Sequence, residues 1–451
     1  MGFFKRLIHR EQVKNRLFVL GLDGLPLSFG QKAAAAGLMP NLAGILEQGA
    51  LTPLKSVLPT VSLVAWANYA TGVNPGKHGV FGFVDRRPNP FAVYIPTARD
   101  LKVPTIWEVL SGLNKRVGVI NVPLTFPPKA VNGFMVGCFL SPDLAKATYP
   151  VELAPRLMEM EYRIDVDVAL GKSDLSAFMA DLNLTLSRRF SACFQLMRSE
   201  AWDFFHLHVM CTDRINHFLW ADYEEGGGLA EDFRSFYRKL DSYLGELVGN
   251  LPAGCRLALI SEHGFTRTKS LVYINRWLEE NGYLLFGRGR KELMAMHAES
   301  KAYSLVPGRI YVNLKGREER GSVPQGHPYE ELREELVHRL EGLRDPQTGE
   351  ALVQKAYKRE ELFAGPRLSL APDLVIEPVT GYDFKANLDG PGLTGPPDLP
   401  GTHALEGAFL FLSDVKQFVE GPSPSLVDAA PTFLTLLEGG LPAGLDGRSL
   451  I

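Results

Sequence analysis

The chain has 451 residues, an apolar share of 45% and a net charge of −3, which suit one large domain with insertions or two to three average domains. The near-neutral charge argues against a nucleic-acid-binding surface. The four cysteines lie apart without CxxC spacing, which indicates neither a disulfide framework nor a thiolate metal site.

The first sixteen residues are basic and lack the apolar core of a signal peptide. Arg6 stands where a myristoylation signal needs Ser or Thr. The apolar side chains between Phe3 and Ile8 leave open a contact with an anionic membrane surface, although a solvated arm is favoured. No apolar run reaches the roughly 18 residues that span a bilayer. We therefore predict a basic N-terminal arm over 1–16, no stable membrane insertion and a cytoplasmic location.

Alternating strand and helix patterns follow this arm. Continuous apolar runs predict buried strands at Leu17–Leu22, Arg116–Asn121, Asp203–Met210 and Arg256–Ile260. Helical patterns lie at Pro40–Gln48, Leu63–Ala70, Pro104–Leu113, within Pro150–Arg198 and at Ala230–Gly249. This alternation predicts an α/β fold with a mostly parallel sheet that helices cover on both faces. Ligands bind such sheets at the carboxyl ends of the strands.

The segment between 284 and 372 is more charged than its surroundings and carries a predicted strand, Arg309–Leu314, and a predicted helix, Glu330–Gly342. We interpret it as a small cap subdomain inserted into a catalytic domain of residues 17–283 and 373–451. Asp373–Glu377 and Ala408–Leu412 are predicted to return as core strands. Residues 427–442 read as a closing helix.

Polar residues gather where the predicted strands end, and none of them is a sulfur ligand. They are Asp23, Asp213, His217, Glu262 and His263, to which we add Ser62 and His403. Carboxylates and imidazoles suit Zn²⁺ or a similar divalent ion with open coordination positions. Each residue also has a structural interpretation, such as a turn for Asp23 or a helix N-cap for Asp213. The combination at successive strand ends favours a metal site.

Ser62 stands at the head of a helical run that ends at Thr71-Gly72. A hydroxyl in this position lies beside free backbone N–H groups and the positive end of the helix dipole, where an anion such as phosphate is stabilised. The alternative is that Ser62 is only the N-cap of the helix.

The order of these motifs resembles the type I phosphodiesterase/nucleotide pyrophosphatase family of the alkaline phosphatase superfamily, and the runs NPGKHGVFGF and TDRINHFLW indicate its bacterial branch. The matching motifs are Asp23, Ser62 ten residues before Gly72, Asp213-x-x-x-His217, Glu262-His263-Gly264, Gly401-Thr402-His403 and the closing Leu445–Leu450. The resemblance implies an alkaline-phosphatase-like α/β fold, a mostly parallel sheet sandwiched by helices with a small inserted cap.

The resemblance also implies two divalent metal ions. Zn²⁺ is the first choice for both ions, and Mn²⁺ is the alternative. One ion would be held by Asp213, His217 and His403. The other would be held by Asp23, Glu262 and His263, with Ser62 coordinating it. Ser62 would be the nucleophile and would form a phosphoseryl intermediate that water then opens.

Two departures from the family pattern bear on these expectations. Glu262 replaces the usual Asp, and its extra methylene changes the reach to the metal. Many relatives carry an Asn about twenty residues after the nucleophile, whereas this chain has Phe81-Gly82-Phe83. Asn68, Lys77 and the backbone N–H groups of Ser62 and Leu63 are the candidates to hold a phosphoryl oxygen instead.

The expected function is hydrolysis of phosphodiester or pyrophosphate bonds in a small phosphorylated substrate, nucleotides included. A phosphomonoesterase and a phosphonate hydrolase on the same core remain alternatives. The absence of an arginine beside Ser62 in sequence disfavours dianionic monoesters. A non-catalytic metal-holding binding protein is the alternative of another class, and the presence of Ser62 argues against it. His206 and His208 share one strand face and are interpreted as core or rim residues.

Overall fold

The structure is a computed structural model that describes residues 15–287 and 292–451. Most of the predicted basic arm, 1–14, therefore lies outside the described residues. Over the described part of the chain, none of the helices combines the length and apolarity that crossing a bilayer requires.

The strands, numbered in chain order, are β1 (Arg16–Leu22), β2 (Gly49–Pro53), β3 (Asp85–Pro88), β4 (Phe91–Tyr94), β5 (Val117–Ile120), β6 (Gly133–Val136), β7 (Thr148–Tyr149), β8 (Phe204–Val209), β9 (Cys255–Ser261), β10 (Gly264–Arg267), β11 (Ser270–Tyr273), β12 (Ala302–Leu305), β13 (Arg309–Val312), β14 (Val353–Lys358), β15 (Leu374–Pro378), β16 (Tyr382–Lys385), β17 (Thr394–Gly395), β18 (Gly401–Ala404) and β19 (Phe409–Ser413).

The α-helices are α1 (Leu27–Ala35), α2 (Pro40–Leu46), α3 (Ser62–Thr71), α4 (Pro75–His78), α5 (Ile106–Gly112), α6 (Leu153–Glu159), α7 (Leu170–Ser173), α8 (Leu175–Ser199), α9 (Cys211–Glu225), α10 (Ala230–Asn250), α11 (Ile274–Glu280), α12 (His327–Glu341), α13 (Arg359–Leu362) and α14 (Ala429–Leu436).

The central sheet has the strand order β2-β19-β9-β1-β8-β5-β6-β7. The strands from β9 to β6 run parallel, while β19 runs antiparallel to β9 and to β2, and β7 antiparallel to β6. The predicted mostly parallel sheet is confirmed, and β1, the first strand of the chain, lies in its interior.

Helices cover both faces of this sheet, as the apolar strand runs predict. Along β1, Phe18 and Leu20 pack into one hydrophobic core with side chains of α8, α9 and α10. Leu17 and Val19 pack into a second core on the other face with α3, α5 and α14. Because a strand alternates its side chains between faces, a run that is apolar throughout is buried on both.

A separate core holds the inserted part of the chain. It extends from Val272 to Phe384 and includes a four-stranded sheet of order β12-β13-β15-β14. The prediction that Asp373–Glu377 returns to the central sheet is wrong, because β15 pairs with β13 and β14. A short apolar run does not reveal which of two sheets it joins. The limits 284–372 for the cap stay a prediction, and this core extends beyond them on both sides.

Buried ion pairs join the cap to the β3–β4 hairpin. Arg309 of β13 is fully buried, and its Nη1 lies 2.5 Å from Oδ1 of Asp85 in β3. Arg86 Nη2 lies 2.8 Å from Glu318 Oε1 in an equally buried pair. Both pairs link the β3–β4 hairpin to cap residues, so the cap is anchored by paired rather than isolated buried charges.

Candidate active site

The carboxyl ends of three adjacent strands bring the predicted site residues together. Asp23 follows β1, and Glu262 and His263 follow its neighbour β9. Helix α9 begins right after β8, on the other side of β1, and presents Asp213 and His217 one helical turn apart. His403 arrives on β18, which pairs with β10 so that His403 lies opposite Phe265.

The first cluster consists of Asp213, His217 and His403. His403 Nε2 lies 3.1 Å from Asp213 Oδ1 and 3.1 Å from His217 Nε2, and the remaining pair is 3.3 Å apart. Ligand atoms about 2.0–2.1 Å from a tetrahedral metal ion are separated by about 3.3 Å. The three atoms therefore have the spacing of three corners of a tetrahedral metal site.

Backbone carbonyls fix the orientation of both rings in this cluster. His217 Nδ1 lies 2.9 Å from the carbonyl of Gly401, and His403 Nδ1 lies 3.0 Å from that of Thr60. Each Nδ1–H donates to its carbonyl, which turns both Nε2 atoms toward Asp213. Burial alone would lower the pKa of His403, but the hydrogen bond and charge of Asp213 raise it. The cluster thus attracts positive charge.

The second cluster surrounds Ser62. Its Oγ lies 3.3 Å from Asp23 Oδ1 and 3.3 Å from His263 Nε2. His263 Nε2 is also 3.0 Å from Glu262 Oε1 and 3.8 Å from Asp23 Oδ1. The Nδ1–H of His263 donates to the carbonyl of Gly264 at 3.1 Å, which again directs an Nε2 lone pair into the cluster.

Two buried carboxylates in the second cluster lack a matching positive charge. Burial and then the charge of Glu262 raise the pKa of Asp23 to about 7. Burial raises the pKa of Glu262 to about 7. Glu262 Oε1 is buried without a hydrogen-bond partner among the described residues. A divalent ion would satisfy this oxygen and allow both carboxylates to ionise, so the donor set fits a metal.

The two clusters share an edge at His263. Ligand atoms of Asp213, His263 and His403 lie within 4.8 Å of one another, as do those of Asp23, Glu262 and His263. The rings of His263 and His403 stack with centroids 3.8 Å apart. We place His263 with Glu262, which lies 3.0 Å from its Nε2, because His217 already completes the first cluster at 3.1–3.3 Å.

Two residues that sequence reasoning missed hold Asp23 in place. The indole N–H of Trp66 donates to Asp23 Oδ2 at 3.0 Å, and His208 Nε2 lies 2.9 Å from the same oxygen. Burial lowers the pKa of His208, so the ring is a neutral donor. Oδ2 is thus occupied and Oδ1 faces Ser62. The sequence could have revealed Trp66, because it follows Ser62 by four residues and both therefore lie on one helix face.

Close packing behind this arrangement requires a glycine in β1. Gly21 is paired in register with His208, and a Cβ at Gly21 would lie 2.7 Å from the Trp66 ring. His208, interpreted from sequence as a core or rim residue, is fully buried and contacts a site carboxylate.

Ser62 is the first residue of α3 rather than its N-cap. The N-cap is Val61, which makes no side-chain capping bond. The N-cap interpretation of Ser62 is therefore wrong, and its hydroxyl is directed to the second cluster. The backbone N–H groups of Ser62 and Leu63 lie in the first helical turn, where no intrahelical acceptor exists. As expected, the helix ends at Gly72, which has a φ of +68°.

The structure does not bring Asn68 and Lys77 to the clusters. Asn68 is buried, and its Oδ1 lies 2.8 Å from His78 Nε2. Lys77 lies past the carboxyl end of α3, where its ammonium pairs with Asp446. Since α3 has ten residues at 1.5 Å each, that end is about 15 Å from Ser62.

The parallel sheet, with carboxylates and imidazoles at its carboxyl edge around a helix-terminal serine, defines an alkaline-phosphatase-like hydrolase of phosphate ester bonds. The family model of type I phosphodiesterase/nucleotide pyrophosphatase matches residues 17–406. The chain belongs to this family, and the resemblance drawn from its motifs is confirmed. No curated protein sequence gives a significant match.

Solved structures share the fold. Phosphonoacetate hydrolase from Sinorhizobium meliloti 1021, in complex with phosphonoformate, is 20% identical with a TM-score of 0.65, covering 95% of this chain and 96% of that one. Murine ectonucleotide pyrophosphatase/phosphodiesterase 5 is 15% identical with a TM-score of 0.56, covering 95% and 96%. Its human counterpart is 14% identical with a TM-score of 0.56, covering 96% and 97%. These likenesses confirm the α/β fold.

Proposed function

We propose that the chain hydrolyses phosphodiester or pyrophosphate bonds at a site for two divalent ions, with Ser62 as the nucleophile. One observation carries this proposal. Ser62 Oγ lies 3.3 Å from ligand atoms of Asp23 and His263, beside the first cluster, whose three ligand atoms have tetrahedral spacing.

The residues present fit two metal ions. Asp213, His217 and His403 would hold one, and Asp23, Glu262 and His263 the other, with Ser62 as a further ligand. Bound there, the ions would neutralise the carboxylates, favour ionisation of a hydroxyl and stabilise charge on the reacting oxygens. The nitrogen and oxygen donors make Zn²⁺ the first choice of metal. Mn²⁺ is the second choice, because Glu262 adds a longer carboxylate arm.

The side chains of the chain itself orient the nucleophile. The Ser62 hydroxyl donates to Asp23 Oδ1, whose other oxygen is held by Trp66 and His208. The free N–H groups at the start of α3 would bind a non-reacting phosphoryl oxygen. A new bond then forms between Ser62 Oγ and phosphorus as the hydroxyl loses its proton, while the bond to the leaving oxygen breaks and that oxygen takes a proton. Water hydrolyses the resulting phosphoserine, releasing a phosphate monoester and restoring the hydroxyl.

The charges near Ser62 support diesters over monoesters. Arg214, the arginine adjacent to Asp213, has its guanidinium 2.7 Å from Asp165 and 3.2 Å from Asp213. Its charge is thus already compensated, while a monoester would bring a second negative charge. Small phosphorylated ligands are bound by two similar proteins, phosphonoformate by the phosphonoacetate hydrolase and AMP by an inactive variant of the murine enzyme.

A substrate panel tests this function. The full chain, loaded with Zn²⁺ or Mn²⁺, would be assayed with bis(p-nitrophenyl) phosphate, a dinucleoside pyrophosphate, p-nitrophenyl phosphate and phosphonoacetate. We expect the highest kcat/KM with the diester or the pyrophosphate, and phosphate on the Ser62 peptide after acid quenching. Preference for the monoester or the phosphonate would replace the proposed substrate class. Equal turnover by Ser62→Ala, or no turnover at all, would contradict the proposal.

A further inference from the structure

Helix α9 carries two further polar side chains, Thr212 and Asn216, each one residue before a ligand of the first cluster. They are four residues apart, so they lie together on one face of the helix. Both are fully buried. Thr212 Oγ1 donates to the carbonyl of Asp23 at 2.6 Å, and Asn216 Nδ2 donates to the carbonyl of Gly24 at 2.9 Å. The helix therefore holds the backbone of the turn that follows β1.

The peptide group between Asp23 and Gly24 connects this contact to Glu262. Its carbonyl accepts the Thr212 hydroxyl, and its N–H donates to Glu262 Oε2 at 3.2 Å. Hydrogen bonds at the two ends of one peptide group polarise it and strengthen each other. Glu262 Oε2 is thus occupied, while Oε1 lies 3.0 Å from His263 Nε2 in the second cluster.

Other contacts restrict the same turn. Asn216 Oδ1 accepts the hydroxyl of Tyr237, a fully buried residue of α10, at 2.8 Å. This bond fixes the orientation of the amide that binds Gly24. A Cβ at Gly24 would lie 2.5 Å from the Phe265 ring, so the turn has no room to move toward this ring. The N–H that holds Glu262 is therefore fixed by α9, α10 and β10 together.

Glu262 needs such a contact more than an aspartate would. Its extra methylene adds one rotatable bond and places the carboxylate roughly 1.5 Å farther from the backbone. A glutamate with both oxygens free can bind one ion through both, which raises the coordination number. Zn²⁺ favours four ligands in a tetrahedral arrangement, whereas Mn²⁺ suits oxygen-rich octahedral sites. A bond to Oε2 therefore favours Zn²⁺, because Glu262 then offers the ion a single oxygen.

We propose that Thr212 is a positioning residue for Glu262. Through the peptide between Asp23 and Gly24 it keeps Oε2 away from the second ion, so that the second cluster prefers Zn²⁺ to Mn²⁺. The helix that presents ligands to the first ion thereby controls the ligand set of the second. This inference rests on the proposed two-ion function.

Metal binding in the His403→Ala background, where only the second cluster keeps its full ligand set, tests the inference. Competition with a chelator of known affinity gives the Kd for Zn²⁺ and for Mn²⁺. The visible absorption of bound Co²⁺, which weakens as the coordination number rises, reports the ligand set. Circular dichroism checks the fold of each variant.

Thr212→Val keeps the size of the side chain and removes its hydroxyl. We expect Zn²⁺ binding to weaken about tenfold, Mn²⁺ binding to change less, and the Co²⁺ absorption to fall. Thr212→Ser keeps the hydroxyl and should bind all three metals as the parent does. Tyr237→Phe, which removes the bond to Asn216, should shift the same values in the same direction, and it decides the matter where Thr212→Val does not fold.

Two comparisons show whether the effect passes through Glu262. Thr432→Val makes the same change at a fully buried threonine of α14, whose hydroxyl also donates to a carbonyl at 2.6 Å, and it should leave all values unchanged. In a Glu262→Asp background, Thr212→Val should change Zn²⁺ affinity much less than it does beside Glu262, because residues that act through one contact are not additive.

Unchanged affinities in the folded variant, an equal shift in Thr432→Val, or the full loss in the Glu262→Asp background would overturn the inference. The Thr212 hydroxyl would then serve only its own helix, where the carbonyl of Val209 lies 3.0 Å away. None of these results touches the proposed function, which stands as long as the parent hydrolyses bis(p-nitrophenyl) phosphate through Ser62. Absence of that hydrolysis beside the expected binding shifts would overturn the proposed function alone, and absence of any bound ion would overturn both.

Discussion

Titration of the metal-free chain with Zn²⁺ should show two bound ions and a rise in Tm. Each site at a free metal concentration 100-fold above its Kd adds about 2.7 kcal/mol to the free energy of unfolding. At about 2.1 cal/mol/K per residue, the unfolding entropy of 451 residues is about 0.95 kcal/mol/K. One site then raises Tm by about 3 °C and two sites by about 6 °C. Elemental analysis and thermal scans measure both quantities.

His403→Ala separates the contributions of the two clusters to Zn²⁺ binding and to the rise in Tm. It removes the Nε2 that lies 3.1 Å from ligand atoms of both Asp213 and His217, and it leaves the Asp23, Glu262 and His263 ligands in place. We expect one bound ion and a Tm rise of about 3 °C. His327→Ala, at a histidine whose side chain is 83% exposed on α12, should behave like the parent. A single ion in the parent, or loss of both ions or of neither in His403→Ala, would refute the two-cluster reasoning.

Substitutions at four positions test individual roles. Ser62→Ala should retain fold and metals, checked by circular dichroism and elemental analysis, but lose several orders of magnitude in kcat. Ser62→Thr should keep part of the activity, and Thr60→Ala should lose little of it. An inactive Thr60→Ala beside an active Ser62→Ala would show that the nucleophile was assigned to the wrong residue. Trp66→Phe removes one N–H donor from Asp23 and should weaken Zn²⁺ binding about tenfold or more by calorimetry; unchanged affinity would mean that Trp66 only packs. Glu262→Asp should change the relative kcat/KM with Zn²⁺, Mn²⁺ and Mg²⁺, and an unchanged ranking would make the extra methylene neutral.

The sheet and the clusters were predictable because their signals are local. An apolar run such as Leu17–Leu22 must be buried on both faces, and its carboxyl end carries Asp23 to the ligand edge of the sheet. The four-residue spacing of Asp213 and His217 gives one helix face wherever the helix lies. His403 is far from the others in sequence, and only the order of the motifs linked it to them.

The errors and omissions concern tertiary contacts that no local pattern encodes. The donors on Asp23 Oδ2 come from α3 and β8, and their meeting depends on the space that Gly21 leaves. Lys77 follows α3 in sequence, but it lies at the end of that helix opposite Ser62, where its ammonium pairs with Asp446. The prediction placed β15 in the wrong sheet, because a five-residue apolar run does not indicate which strands it pairs with.

The interior position of β1 determines when a newly made chain becomes active. Leu17 pairs with Phe204 and Arg256, so the first strand synthesised has both of its neighbours only after more than half of the chain has left the ribosome. His403 follows later still, on β18. Long-range pairings of this kind form slowly, since the intervening chain must close first. With the roles proposed here, a growing chain already contains Ser62 but lacks part of the ligand set. It therefore does not hydrolyse phosphate esters before its translation is nearly finished.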